Sequence, residues 1–252
     1  MRMSNRKLKK SGEGKWVKDK YELTPEQNIF LAKKTLVNNI YNSARLEGCN
    51  ITFPDTQTIL DGVSVAGLKM QDVEVVLNLR DAWKFVLASI EKPLDIDYMC
   101  KINSYVSRNE SLDWGVLRYG EVGITGTDYK PPVPEKDKVI QALNKLLNEN
   151  SSITEKTISL FLWSCRSQLF WDGNKRTSLI AANKLMISEG KGILMIDEKH
   201  LLQFNKLLTE YYITGNRVEI GKFLYENCIH GMTIDKELKE KYQKENKRES
   251  DD

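Results

Sequence analysis

The stretch "SQLFWDGNKRTS", residues 167–178, places an acid, a glycine, an amide and two cations in five consecutive positions, Asp172 to Arg176. The apolar density before it, "ISLFLWSCRSQLF", reads as a buried helix. After it, Leu179, Ala182 and Met186 recur at helical spacing, with Gly190 as a stop, so a second helix begins near Asn174. The first N–H groups of that helix lack intrahelical partners, and its dipole puts partial positive charge there, which suits an anion. Gly173 allows a ligand close to the backbone, and Lys175 and Arg176 add cationic donors. Asp172 would repel a bare phosphate but would hold a magnesium ion bridging phosphate oxygens. A nucleotide–Mg²⁺ loop is one reading. An ordinary Asp-Gly-Asn turn before a surface-charged helix is the other, and these residues alone leave both open. Phe170 is expected to anchor the loop in the core.

The surrounding elements are helical. "TPEQ" at 24–27 is a capping box with proline at the first helical position, and the helix it opens is expected to run over 25–47, with Leu36, Ile40 and Ala44 on one stripe and Gly48 ending it. Further helices are expected after Pro54, over about 69–91, 96–107, 135–149, 154–168, 174–189, 198–213 and 218–229. The stretch 108–134 breaks this pattern. Val122 and Ile124 alternate with small residues, Gly126 allows a turn, and three prolines follow, which predicts a short β-hairpin. The fold class is therefore all-α, a helical bundle with a small β-hairpin insert.

Composition narrows the function classes. The 252 residues are 40% hydrophobic and 29% charged, ordinary for a globular protein, with no apolar run near membrane-spanning length and no secretory-type stretch, so a cytoplasmic location is expected. A net charge of +3 falls short of the stronger, clustered basic excess usual in a nucleic-acid-binding domain, so a nucleic-acid partner is not expected. Cys49, Cys100, Cys165 and Cys228 form no CxxC pair, and with His200 and His230 alone no zinc pattern arises. Residues 1–20 read as a basic tail and 231–252 as a charged one, leaving a domain over 21–230 with a core at about 96–190.

"QLFWDGNKRTS" resembles the signature of the Fic family, His-x-Phe-x-(Asp/Glu)-Gly-Asn-(Gly/Lys)-Arg. "SARLEGCNITF" at 43–53 is similar to the family's inhibitory-helix motif, and "VLRYGEVGITGTDYKPPVPE" to the segment that forms its flap. The resemblance implies a Fic-type helical bundle that uses ATP and Mg²⁺, usually to transfer AMP to a hydroxyl of a target protein. It implies that Asp172 holds the metal, that Gly173, Asn174, Lys175 and Arg176 bind the nucleotide phosphates, and that Val122, Gly123, Ile124, Thr125, Gly126 and Thr127 clamp the target's Ser, Thr or Tyr segment as an added strand. Ser43, Glu47 and Gly48 would form the inhibitory element, with Glu47 obstructing the γ-phosphate. Members often self-associate, so a homo-oligomer is among the expectations.

Three positions depart from the family pattern. Gln168 replaces the catalytic histidine, and an amide cannot serve as general base. Lys175 stands where many AMP-transferring members carry glycine and where the phosphate-transferring Doc branch carries lysine. Leu179 replaces the second arginine, the usual partner of the inhibitory glutamate, which leaves Glu47 without that partner. The reading is an ATP–Mg-binding relative of protein adenylyltransferases with reduced or altered activity. The alternatives are a Doc-like protein kinase and a catalytically inactive nucleotide- or protein-binding module.

Overall fold

The computed structural model describes residues 18–235, so of the expected tails at 1–20 and 231–252 the parts 1–17 and 236–252 lie outside the described residues. Helix α1 (Pro25–Lys34) starts where the capping box predicts: Thr24 Oγ1 accepts from Gln27 N at 3.2 Å, and Gln27 Oε1 accepts from Thr24 N at 2.9 Å. The expected single helix over 25–47 is in fact two. Thr35 leaves the helical region (φ −100°, ψ 10°) while its hydroxyl donates back to Leu31 O, and α2 (Leu36–Leu46) starts afresh. This is the local competition a threonine hydroxyl offers to the helix ladder. α2 ends at Glu47, followed by Gly48 at φ 90°.

Among the described residues, helices α3 (Phe53–Leu60), α4 (Met70–Ala88), α5 (Ile96–Val106), α6 (Lys136–Leu147), α7 (Ile153–Ser167), α8 (Asn174–Ser188), α9 (Leu201–Thr214) and α10 (Val218–Asn227) complete the helical body, with a single 3₁₀ turn at Glu198–His200. α7 and α8 pack along each other, and α8 runs through the centre, with twelve of its fifteen residues buried. Its two faces feed two clusters. Ile180, Ala181 and Ile187 join the core of α1, α2, α4 and α5. Leu179, Ala182 and Met186 join the core of α7, α9 and α10. Asn28 reaches from α1 to pair both the N–H and the C=O of Gly192, which fixes the first helix against the end of this centre.

Residues 18–20, expected as tail, lie on the body. Asp19 accepts from Thr154 N at 2.8 Å at the start of α7, and Lys20 stands over the Tyr225 ring. The described residues contain one two-stranded sheet, β1 (Ile193–Leu194) antiparallel to β2 (Ile229–His230). Strand pairing does not form at 122–129, where the hairpin is expected. That segment is a loop with one turn, in which Ile124 O accepts from Thr127 N at 3.1 Å and Gly126 takes φ 83°. Both arms pack on the same core and leave their backbones unpaired with each other. Ile124 and Tyr129 join the second core, and the returning arm runs into Pro131 and Pro132, which carry no N–H to pair. No described helix is long and apolar enough to cross a membrane.

Candidate functional site

The loop between α7 and α8 is fixed by packing and by side-chain amides. α7 ends at Gln168, which adopts the left-handed region at φ 45°. Phe170 is 1% exposed and anchors the loop, as expected. Asn174 closes it: its Oδ1 accepts from Phe170 N at 2.9 Å, and its Nδ2 donates to Phe170 O at 2.8 Å and to Gln168 Oε1 at 3.2 Å. From behind, Asn103 Nδ2 and Ser107 Oγ donate to Asp172 O at 3.0 and 2.9 Å. Gly173, at φ 68°, is required here, since a Cβ would lie 2.2 Å from Ser107 Oγ.

A cavity of about 440 Å³ opens above this loop. Its walls include Glu47, Gly123, Ile124, Thr125, Gln168, Asp172, Asn174 and Lys175, so the structure brings three separate sequence segments to one place. Asp172 is half-exposed, with Oδ1 accepting from Gly173 N and standing 3.8 Å from Arg176. Gln168 faces the cavity with its amide engaged, Nε2 donating to Cys165 O at 2.7 Å and Oε1 accepting from Asn174. Ser43, Gly48, Val122, Gly126, Thr127, Gly173 and Arg176 do not line it. Ser43 is buried within α2, where its carbonyl accepts from Glu47 N.

Arg176 lies beneath the cavity floor, 1% exposed, and is paired in two-pronged fashion with Glu110: NH2 to Oε2 at 2.9 Å and NH1 to Oε1 at 3.1 Å. Burial works against its charge, but Glu47, Glu110 and Asp172 outweigh that and hold its pKa above the ordinary value. Glu47 is not left without a partner by Leu179. Leu179 is 4% exposed in the second core, and Glu47 Oε2 turns instead to Arg176 Nε at 3.4 Å and Lys175 Nζ at 3.9 Å. Lys175 also donates to Leu46 O at 3.1 Å, so one cation ties the C-terminus of α2 to the N-terminus of α8.

Two features escape sequence reasoning. The outer wall of the cavity is a stripe on α9, Asn205, Leu208, Thr209 and Tyr212, at helical spacing some thirty residues past the loop. Only the period on α9 could have drawn attention to it. Burial pushes the Tyr212 phenol well up, so at neutral pH it stays a neutral donor. The second feature is Arg118, whose Nε donates to Gln168 O at 2.5 Å. Its contacts join residues too far apart in sequence for any motif to show.

Among the described residues no group of three or more His, Cys, Asp or Glu side chains converges to hold a metal alone. Asp172 offers an accessible hard oxygen at the mouth of the loop, which fits a Mg²⁺ ion taking one carboxylate from the protein and the rest from its ligand and water.

Residues 93–186 match the Fic/DOC family model. The protein adenylyltransferase Fic of Drosophila sechellia is 24% identical over 185 residues, which cover 70% of this chain and 37% of that relative's length. This chain thus spans little more than a third of the curated relatives it matches. Among solved structures, Fic-1 of C. elegans (residues 134–508) superposes with a TM-score of 0.66 at 17% identity, covering 78% of this chain and 60% of that one. A Fic-domain signaling protein of Bacteroides thetaiotaomicron gives 0.66 at 18% identity, covering 81% and 85%. Residues 93–186 thus carry the Fic/DOC family match, and the solved Fic structures share the helical fold of this chain.

Proposed function

We propose that the cavity binds ATP with Mg²⁺, and that the chain is a relative of the protein adenylyltransferases whose transfer step is altered at position 168. The observation that carries this reading is the floor of the cavity. Asn174 and Lys175 at the N-terminus of a fifteen-residue buried helix face the same space as the open carboxylate of Asp172. Helix N-terminal amides and Lys175 suit phosphate oxygens, and bound Mg²⁺ would neutralise phosphate charge beside Asp172. Gly173 keeps the loop tight enough for that approach, and Arg176 sits behind it as a buried positive charge. The α9 stripe supplies the apolar and polar wall that a nucleoside would need. The loop 122–127 borders the cavity through Gly123, Ile124 and Thr125, where a hydroxyl-bearing segment of a target protein would lie.

Transfer is the altered part. Gln168 can hydrogen-bond a hydroxyl but cannot take its proton, and a positioned base is worth about 10² to 10⁴ in rate. Here its amide is also held by Cys165 and Asn174. This favours nucleotide binding with slow transfer over efficient AMP transfer. Lys175 is the residue that favours the Doc-like alternative, phosphate transfer, although here it is turned toward Leu46 O and Glu47. The test is incubation with a protein mixture, Mg²⁺ and ATP labelled at the α or the γ phosphate, beside calorimetry of ATP binding. Binding with weak α-label incorporation is the expected result. Incorporation from the γ label alone would make the chain a kinase, and no heat of ATP binding at millimolar concentration would reject the nucleotide reading.

A further inference from the structure

Arg118 is 1% exposed, yet it forms no ion pair among the described residues. Its guanidinium donates only to main-chain carbonyls. Nε donates to Gln168 O at 2.5 Å, NH1 to Gly120 O, and NH2 to Pro131 O at 3.1 Å and Pro132 O at 2.6 Å. Its own N–H donates to Leu169 O at 3.0 Å. A buried cation is costly unless hydrogen bonds satisfy it, and a guanidinium has five donors in a fixed fork. Here the fork gathers three segments that no sheet joins: the outgoing arm of the 121–129 loop at Gly120, its returning arm at Pro131–Pro132, and the end of α7 at residue 168.

The second arginine nearby extends the same arrangement. Arg166 stacks on the Tyr129 ring at 3.9 Å from its centroid and donates through Nε to the carbonyls of Tyr211 and Tyr212. It therefore fastens the returning arm to α9, the opposite wall of the cavity. Missing strand pairing at 122–129 is replaced by side-chain clamps at the base of the loop. Gln168 sits in the left-handed region, uncommon for a residue with a side chain and sustained only where surroundings impose it. The direct restraint on its carbonyl is Arg118.

We propose that Arg118 is a positioning residue that couples the loop 121–129 to residue 168, so that displacement of the one changes the conformation of the other. A segment laid along the loop would thereby reset the side chain that faces the reacting groups. The functional importance of this coupling rests on the nucleotide-binding reading, but its physical test does not.

The test is amide hydrogen exchange, resolved residue by residue by NMR, on the full chain and its Arg118→Lys variant. Lysine keeps the charge and loses the fork. The reporters are three hydrogen-bonded amides: Arg118 to Leu169 O, Tyr129 to Thr127 Oγ1, and Phe170 to Asn174 Oδ1. All three are expected to exchange faster together, by about tenfold or more, while amides in α4 and mid-α7 keep their rates. Acceleration of Tyr129 alone would overturn the coupling. So would unchanged rates, or an equal acceleration everywhere, which would make Arg118 a packing residue only. If the variant does not fold, native-state exchange of the unmodified chain in graded denaturant decides: the three amides must open in one step, and separate openings reject the proposal. ATP binding is measured alongside. Absence of binding to the unmodified chain would defeat the proposed function and leave the exchange result standing.

Discussion

Gln168, Asp172 and Glu47 share one cavity, and each has a distinct consequence there. Histidine is among the side chains that tolerate the left-handed region, so Gln168→His should keep the backbone at φ 45° and put an imidazole where the amide now is. The expected gain in labelled-AMP transfer is about 10² or more. ATP binding without any gain would show that Lys175 and the buried Leu179 leave the nucleotide out of line. Asp172→Ala should weaken Mg²⁺-dependent ATP binding by about tenfold or more, roughly 1.4 kcal/mol, with the melting temperature unchanged, because the side chain is half-exposed. Calorimetry with and without Mg²⁺ checks it, and equal affinities would remove Asp172 from the metal assignment. Glu47→Gln should tighten ATP binding by up to about tenfold, roughly 1.4 kcal/mol, since it releases Lys175 and the Nε side of Arg176 from the attraction of a carboxylate. An unchanged affinity would mean that Glu47 is a structural cap and no competitor of phosphate. The loop at 168–176 was legible because its chemistry is local. The partners of Glu47 were not, since a missing arginine at 179 does not reveal that Arg176 turns its Nε toward α2.

At the scale of elements, the turn into α8 depends on a position with no side chain. Gly173→Ala would bring a Cβ within 2.2 Å of Ser107 Oγ and 2.8 Å of Val106 Cγ1 in a backbone conformation alanine resists. It should lower stability by about 1–3 kcal/mol through strain and should also disturb the hydrogen bonds to Asp172 O. Thermal melting together with ATP calorimetry reads both effects, and a melting temperature equal to the parent's would refute the account. The helices were legible from start signals and period: Thr24 and Gln27 marked α1, and the predicted 69–91 became Met70–Ala88. Thr35 was not legible as a break, because a threonine hydroxyl bonded back to the carbonyl four residues earlier is also common inside unbroken helices. The 122–129 loop shows the converse. Alternation of Val122 and Ile124 signals a strand, but pairing needs a partner, and Arg118 and Arg166 hold its base instead.

Across the whole molecule, all four cysteines are free thiols, and burial pushes Cys49, Cys165 and Cys228 up to about 12 and Cys100 up to about 11. At pH 8 the native protein should therefore react slowly with a thiol reagent. Cys100, which is partly exposed, should react first, and the other three should become available only with global unfolding. Mass spectrometry of pulse-labelled protein across a urea series checks this, and early labelling of Cys165 would contradict the tight packing of α7 on α8. That both cores share α8 was not legible. Leu179 and Ile180 are neighbours in sequence, and only the assembled bundle sends them to different clusters.

The docking of α1 and α2 has an evolutionary corollary. Ile40 and Ala44 are wholly buried in the core beside α4, and Asn28 holds both backbone groups of Gly192. The helix that presents Glu47 is therefore also part of what keeps the domain folded. A deletion that freed the cavity of its glutamate by discarding α1 and α2 would strip the core at the same stroke and be lost as an unstable protein. Under the proposed function, release from Glu47 is open to inheritance only by single-residue change, at Glu47 itself or at the cations that hold it. Restraint and scaffold would then form one heritable unit.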